Sequence, residues 1–301
     1  MTIDDDSPGA RPSTSGAAVP EAPAAAPAPA SGRAGRHLPT ATLVGVGLLA
    51  VIMASLLIRK EAFIVVAAAV TCLGLWELDK AFSTRRIRLP VVPLAVGTFG
   101  VCLSAYHTGL EGLIVSVMLT IAAAAVWRIV DGGGGAAIRD AAGATFAVAW
   151  LPLMVGFVML ILASDQGEWK VLLLILLAVA NDVGGFFAGS TFGRHPLAPT
   201  VSPKKSWEGL AGSFVLTLIV ALVGVRLLGL DPVSGAVLGV LTPVSATLGD
   251  LAESLVKRDL GLKDMGSLLP GHGGVLDRID SMLLTAPFVY VVLTVSSAAV
   301  S

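Results

Sequence analysis

The chain has 301 residues, 55% of them hydrophobic and only 14% charged, where an ordinary soluble domain carries roughly a quarter charged residues. That balance excludes a water-soluble globular protein and points to a chain embedded in lipid. The net charge of −1 says nothing by itself about partners, and no nucleic acid is expected among them. The two cysteines, Cys72 and Cys102, lie in separate apolar stretches away from any histidine cluster, so they are expected to be small buried residues without disulfide or metal spacing.

In chain order, residues 1–38 come first, an expected cytoplasmic tail rich in Pro, Ala, Ser and Gly. With almost nothing to bury, such a segment cannot offset its ordering entropy and is expected to be disordered. Three aspartates stand where a secretory signal would carry basic residues, so the first apolar run is expected to stay in place. Nine runs then approach the length needed to cross about 30 Å of hydrocarbon as helices. They are 41–58, 62–79, 91–106, 110–129, 141–163, 170–189, 209–228, 233–255 and 281–299, the third being the weakest. The expected fold is an all-α polytopic membrane protein, because an open sheet edge cannot be satisfied in lipid and no barrel-like alternation is present. With the tail inside, sixteen of the lysines and arginines fall on the cytoplasmic side, and only Arg59, Lys60, Lys170 and Arg226 fall outside. Basic residues collect in cytoplasmic loops, so the N-terminus is expected inside, the C-terminus outside, and the residues 39–301 in the inner (cytoplasmic) membrane of a cell.

Two cytoplasmic loops and their flanking helices hold more charge than orientation requires. Asp182, in LLAVANDVGGFFAGS, is an ionisable group inside a span, which is a functional candidate by default; Gly184, Gly185 and Gly189 after it would let a helix or a ligand come close. In SPKKSWEG, residues 202–209, Lys204 and Lys205 can neutralise phosphate while Ser202 and Ser206 hydrogen-bond it. On a helix through TLGDLAESLVKRD, Asp250, Ser254, Lys257 and Arg258 share one face. The cations also suit a helix C-terminus, but that does not account for Asp250 deeper in apolar surroundings. PGHGGVLDRID follows, a glycine turn whose amides can meet an anion, then Asp277 and Asp280 three residues apart with Arg278 turned elsewhere. These carboxylates with Asp250 and Asp182 are hard oxygen ligands of the kind magnesium uses, completing its shell with water and substrate phosphate. No His/Cys set offers zinc or iron. Acidic metal ligands beside phosphate-binding cations compose a phosphoryl or nucleotidyl transfer site, where catalysis is positioning and charge stabilisation.

The passage Ser254, Lys257, Arg258, Lys263, Asp264, Gly266, Pro270, His272, Gly273, Gly274, Asp277, Arg278 and Asp280 resembles the signature of the phosphatidate cytidylyltransferases, or CDP-diacylglycerol synthases, without a gap. SPKKSWEG and the Asp182 segment are similar to motifs upstream of it. The specific resemblance covers roughly 180–285; the earlier spans match only in hydropathy. It implies reaction of CTP with inner-leaflet phosphatidate to give CDP-diacylglycerol and pyrophosphate, a step of phospholipid synthesis. It also implies magnesium with room for a second metal ion, and a homodimer. On this reading Asp250, Asp277, Asp280 and Asp182 hold metal. Lys257, Arg258, Lys204 and Lys205 clamp the triphosphate, and Ser254 orients a metal-bound water or phosphate. Ser202, Lys263, His272, Gly273, Gly274 and Arg278 contact the substrates.

Two other readings compete. A CTP-dependent lipid-alcohol kinase would move the γ-phosphoryl group instead of the nucleotidyl group. A cation-coupled secondary transporter would use the intramembrane aspartates, but these cluster toward one face and no internal repeat relates the two halves.

Overall fold

The computed structural model describes residues 38–132, 134–266, 268 and 273–300. The tail as far as residue 37, and the centre of the glycine turn with His272, lie outside those residues. The described chain forms nine α-helices: α1 (Leu38–Ile58), α2 (Lys60–Ser83), α3 (Val91–Val130), α4 (Gly135–Trp150), α5 (Pro152–Ala163), α6 (Gly167–Phe192), α7 (Trp207–Leu227), α8 (Pro232–Leu260) and α9 (Leu276–Val300). Two short strands, β1 (Pro196–Ala198) and β2 (Ser202–Ser206), stand between α6 and α7. Seven stretches are long and apolar enough to cross a membrane, α4 and α5 counting as one, and Gly45–Ile58 of α1 is a shorter apolar helix.

Two breaks shape the first half. Within α3, Gly109 has φ 72° and ψ −153°, far from helical. On one straight helix Gly97 and Thr120 would stand about 35 Å apart, yet a Cβ on Gly97 would lie 2.2 Å from Thr120 Cγ2. The chain therefore reverses at Gly109, and the two arms of α3 pack side by side, matching the division of this apolar region into 91–106 and 110–129. The run 141–163, expected as one helix, is broken at Leu151, whose φ and ψ are −107° and −71°, with Pro152 opening α5. Proline lacks an N–H and its ring crowds the preceding turn, so it interrupts the ladder.

In the second half α6 and α7 pack backbone against backbone. A Cβ on Gly184 would lie 2.5 Å from the carbonyl oxygen of Gly212, and one on Gly212 would lie 2.3 Å from Ala188 Cβ. Glycines here let the backbones of α6 and α7 approach as only small residues allow, and Ser213 Oγ adds a 2.7 Å hydrogen bond to the Asn181 carbonyl. At the next crossing, Gly249 of α8 packs on the backbone of α9 at Asp280.

Among the described residues the fold is all-α apart from one short ribbon. SPKKS is β2, paired antiparallel with β1 through Pro196↔Ser206 and Ala198↔Ser202. A two-stranded ribbon has open edges, which are tolerable only where water or protein meets them, and it sits in the loop beyond the ends of α6 and α7. Ser206 closes the strand and starts the helix: its Oγ accepts from Gly209 N at 3.1 Å, an N-cap.

Loops segregate to two ends of the bundle. At one end the Arg85 side chain donates to the Asp259 carbonyl, Arg139 Nη2 to the Arg86 carbonyl at 2.8 Å, and Arg128 pairs with buried Asp140 at 2.7 Å. At the other, Lys60 pairs with Glu168 at 2.7 Å and Lys170 Nζ meets Ser297 Oγ at 3.2 Å. The ribbon and the start of α9 belong to the first end.

Candidate active site

A cavity of about 310 Å³ opens where α6, β2, the start of α7 and the second half of α8 converge. Asn181, Asp182, Ser202, Lys204, Lys205 and Asp250 are among its walls. Each arrives by a different route: α6 presents Asp182 two residues before Gly184 packs on α7, the ribbon brings Lys205 to the bundle, and α8 supplies its partner Asp250. Lys205 Nζ is ion-paired with Asp250 Oδ2, and both side chains keep some exposure, 28% and 22%. Asp182 accepts from Asn181 Nδ2 at 3.1 Å.

Beside the cavity lies a tighter knot. Lys257 Nζ donates to Glu253 Oε1 at 3.0 Å and to Asp277 Oδ1 at 2.9 Å, tying α8 to α9. The other oxygen of Asp277 accepts from Gly274 N at 2.9 Å and Met265 N at 3.2 Å. Asp280 bridges knot and cavity, its carboxyl in contact with those of Glu253 and Asp250. Carboxyl groups this close repel unless a proton or a cation stands among them.

Under the knot is Glu77 of α2, only 1% exposed. Its Oε2 accepts from Leu276 N at 3.0 Å. Two glycines of the loop between α8 and α9 wrap it: a Cβ on Gly266 would lie 2.2 Å from Glu77 Oε1 and one on Gly274 2.7 Å from Oε2. These glycines are required by a buried carboxylate that leaves no room for a side chain.

The residues singled out in the sequence are thus distributed unevenly. Asp182, Ser202, Lys204, Lys205 and Asp250 share the cavity; Lys257, Asp277 and Asp280 share the knot. Asp277 and Asp280 do point to a common side, with Arg278 exposed. The stripe on α8 divides, Lys257 turning to α9 while Arg258 Nε approaches the Val201 carbonyl of the ribbon at 3.5 Å. Ser254 is half-buried and Lys263 exposed in the following loop. The Gly274 amide, expected to meet phosphate, is instead committed to Asp277; Gly273, at φ 80°, makes the turn that places it there.

Residues 39–296 match the model of the Cytidylyltransferase family. The chain is 36% identical over 281 residues to the phosphatidate cytidylyltransferase of Mycobacterium bovis, spanning 89% of this chain and 92% of that one. It is 38% identical over 280 residues to the phosphatidate cytidylyltransferase of Mycobacterium leprae, spanning 87% and 89%. The chain belongs to the cytidylyltransferase family. A third relative, the phosphatidate cytidylyltransferase of Haemophilus influenzae, is 43% identical over 129 residues, 41% of this chain and 45% of its own.

Does this cytidylyltransferase have the donors for a divalent cation? Among the described residues no three His, Cys, Asp or Glu side chains gather closely enough to hold one unaided. Magnesium does not demand that: it is usually held by one or two carboxylates, with water and substrate phosphate completing the shell. Asp182, Asp250, Glu253, Asp277 and Asp280 face two lysines, Lys205 and Lys257, and the buried Glu253 Oε2 and Asn181 Oδ1 lack any hydrogen-bond donor. A surplus of hard oxygens with an orphaned acceptor fits a cation.

Sequence reasoning passed over four contributors to this cytidylyltransferase site. Glu77 and Glu253 are carboxylates inside apolar runs, the same signal that drew attention to Asp182. Asn181 adjoins it. Glu208 accepts from Arg194 N and His195 N at 3.2 and 3.3 Å and meets His195 Nδ1 at 2.6 Å, fixing the root of the ribbon.

Proposed function

We propose that this chain transfers the cytidylyl group of CTP to phosphatidate, giving CDP-diacylglycerol and pyrophosphate, and that it does so at the cytoplasmic face of a cell's inner membrane. The observation that carries the reading is the cavity in which phosphate-binding Lys204, Lys205 and Ser202 meet Asp182 and Asp250. Family membership supports the choice of nucleotide, and the names of the long-range relatives support the choice of lipid.

The ends of the bundle support the placement. The end with the cavity gathers Arg85, Arg139, Lys204 and Arg258, and basic loops are cytoplasmic. On this reading α1 also crosses, α3 crosses twice through its reversal at Gly109, and α4 with α5 makes one bent crossing, which gives nine crossings with the N-terminus inside and the C-terminus outside. A homodimer follows from the family resemblance alone.

In the reaction a phosphatidate phosphate oxygen attacks the α-phosphorus of CTP; the new O–P bond forms as the bond to the β-phosphate oxygen breaks, and pyrophosphate departs. Two anions must approach, so charge neutralisation is the main task. Lys205 can leave Asp250 for the triphosphate because both are partly exposed and each is the other's single ion-pair partner among the described residues. Lys204 and Ser202 line the same wall and bind the same anion. Magnesium, held by Asp250 with Asp182 and Asp280, would supply positive charge to the phosphates. No side chain of the protein needs to act as nucleophile.

The test is to reconstitute purified protein with phosphatidate and supply CTP labelled either in cytidine or at the γ-phosphate. Cytidine label should enter the lipid with one pyrophosphate released per turnover. Transfer of the γ-label to lipid, with release of CDP, would replace this reading with a lipid kinase.

A further inference from the structure

At the end of the bundle opposite the candidate active site, about 18 Å along α6 from Asp182, Lys170 is only 6% exposed. Its Nζ meets two neutral hydroxyls, Ser164 Oγ at 3.3 Å and Ser297 Oγ at 3.2 Å. Among the described residues no carboxylate lies within the 4.0 Å of an ion pair. The acid on its own turn, Glu168, is committed to Lys60 at 2.7 Å; Asp165, exposed at the rim, acts on it only from farther away. A buried cation with no carboxylate in ion-pair contact is costly in a membrane protein. Its position makes matters worse, because the first turn of a helix carries the positive end of the macrodipole.

The lysine borders a cavity of about 570 Å³ enclosed by the α5–α6 turn, the α7–α8 turn and α9. Tyr290, Thr294, Ser164, Ser297 and Gln166 contribute hydroxyl and amide groups to its lining. Gln166 takes the N-cap position of α6 in a left-handed conformation, φ 51°, and caps nothing with its side chain. Apolar Ile161, Leu228, Leu230 and Leu293 complete the walls, and Asp165 stands on the lining at the exposed rim.

We propose that this cavity binds a phosphate-bearing anion, with Lys170 as its counter-charge and Tyr290, Thr294 and Gln166 as its hydrogen-bond donors, the Ser164 and Ser297 hydroxyls already donating to the Ile161 and Leu293 carbonyls. Burial excludes a large soluble ligand, and the mixed lining suits a group with an anionic head and an apolar remainder. The same head chemistry belongs to the headgroup of an anionic phospholipid in the leaflet at this end and to free phosphate. Bound there, the anion would tie together the ends of α5, α6, α8 and α9, three of which carry candidate active-site residues at their other ends.

The test uses full-length protein, delipidated in neutral detergent, with phosphatidylglycerol, inorganic phosphate, or sodium chloride at equal ionic strength. At saturation a bound probe should raise the thermal midpoint by about 5 °C over the chloride control, and Lys170→Met should abolish that rise while Lys170→Arg keeps it. A rise with phosphatidylglycerol alone assigns the site to a lipid headgroup; a rise with phosphate as well assigns it to the free anion. Should Lys170→Met fail to fold, Tyr290→Phe decides, since loss of one hydroxyl donor should weaken the probe about five- to tenfold. The proposal is overturned if neither probe moves the wild-type midpoint, if Lys170→Met responds as the wild type does, or if Tyr290→Phe binds with unchanged affinity.

Discussion

Two lysine–aspartate pairs stand side by side at the charged end of the bundle, and they do different work. Lys205 and Asp250 meet across a cavity, each partly exposed and with no second ion-pair partner among the described residues. Lys257 and Asp277 are more enclosed, at 17% and 10%, and the lysine also holds fully buried Glu253 while the aspartate also holds two loop amides. A pair that can separate without leaving other groups unpaired is available to a substrate. A pair whose separation strands Glu253, Gly274 and Met265 is part of the frame. The sequence presents all four residues as equivalent charges; their accessory partners sort them.

The sharpest way to break this comparison is Asp250→Asn, which keeps the shape and removes the charge. Turnover of CTP with saturating phosphatidate should fall by about a thousandfold, with the thermal midpoint within a few degrees of the wild type. Retention of a tenth of the activity would remove Asp250 from the chemistry. Lys205→Ala should come next, lowering kcat/KM for CTP about a hundredfold and again sparing the fold. Unchanged kinetics would leave Lys205 as an orientation anchor only.

On the framework side the order of effects reverses. Lys257→Ala leaves Glu253 and Asp277 without their cation, and breaking a largely buried pair in this way costs about 3 kcal/mol. The midpoint should drop by more than in either cavity variant, and excess magnesium should not restore turnover. If Lys257→Ala is as stable as the wild type but inactive, the distinction between the two pairs is lost. A smaller loss is expected for Glu77→Leu, which strands the Leu276 amide beneath the knot at about 1–3 kcal/mol. Limited proteolysis should then find the loop between α8 and α9 more easily cut, and an unchanged digestion pattern would show that Glu77 does not hold it.

Hydropathy was enough to lay out the helices, including the division of α3, because the chain between its arms breaks the apolar run with His107 and Glu111 around Gly109. The interruption at Pro152 was legible in principle, as proline inside an apolar run, but the surrounding leucines and methionines outweigh it in any average. The ribbon escaped because eight residues of strand around a turn carry no periodicity that a loop rich in Pro, Ser and Lys lacks. Motif spacing located the cavity and the knot, yet it could not separate them. That separation depends on Glu77, whose partner Leu276 lies 199 residues away, and on Glu253, which looks like an ordinary partner for Lys257 until its second neighbour, Asp280, is seen. Lys170 read as a stray outer cation for the same reason: nothing nearby in the chain reveals that the groups in hydrogen-bond contact with it are both neutral hydroxyls.

The mildest variant in the set bears on where catalysis begins in the chain. The family match starts at residue 39, and both the cavity and the knot are built from residues 77 to 281. Deleting residues 1–36 removes Arg11, Arg33 and Arg36 from the side proposed as cytoplasmic, but many basic residues in the loops at that end remain to hold the orientation. Specific activity with CTP and phosphatidate should therefore stay within about twofold of the full chain when both are assayed in the same detergent, an effect no larger than a surface change. A loss beyond tenfold, with the insertion and midpoint of the truncated protein intact, would show that the tail contributes to the site and that the contrast between cavity and knot omits a third participant.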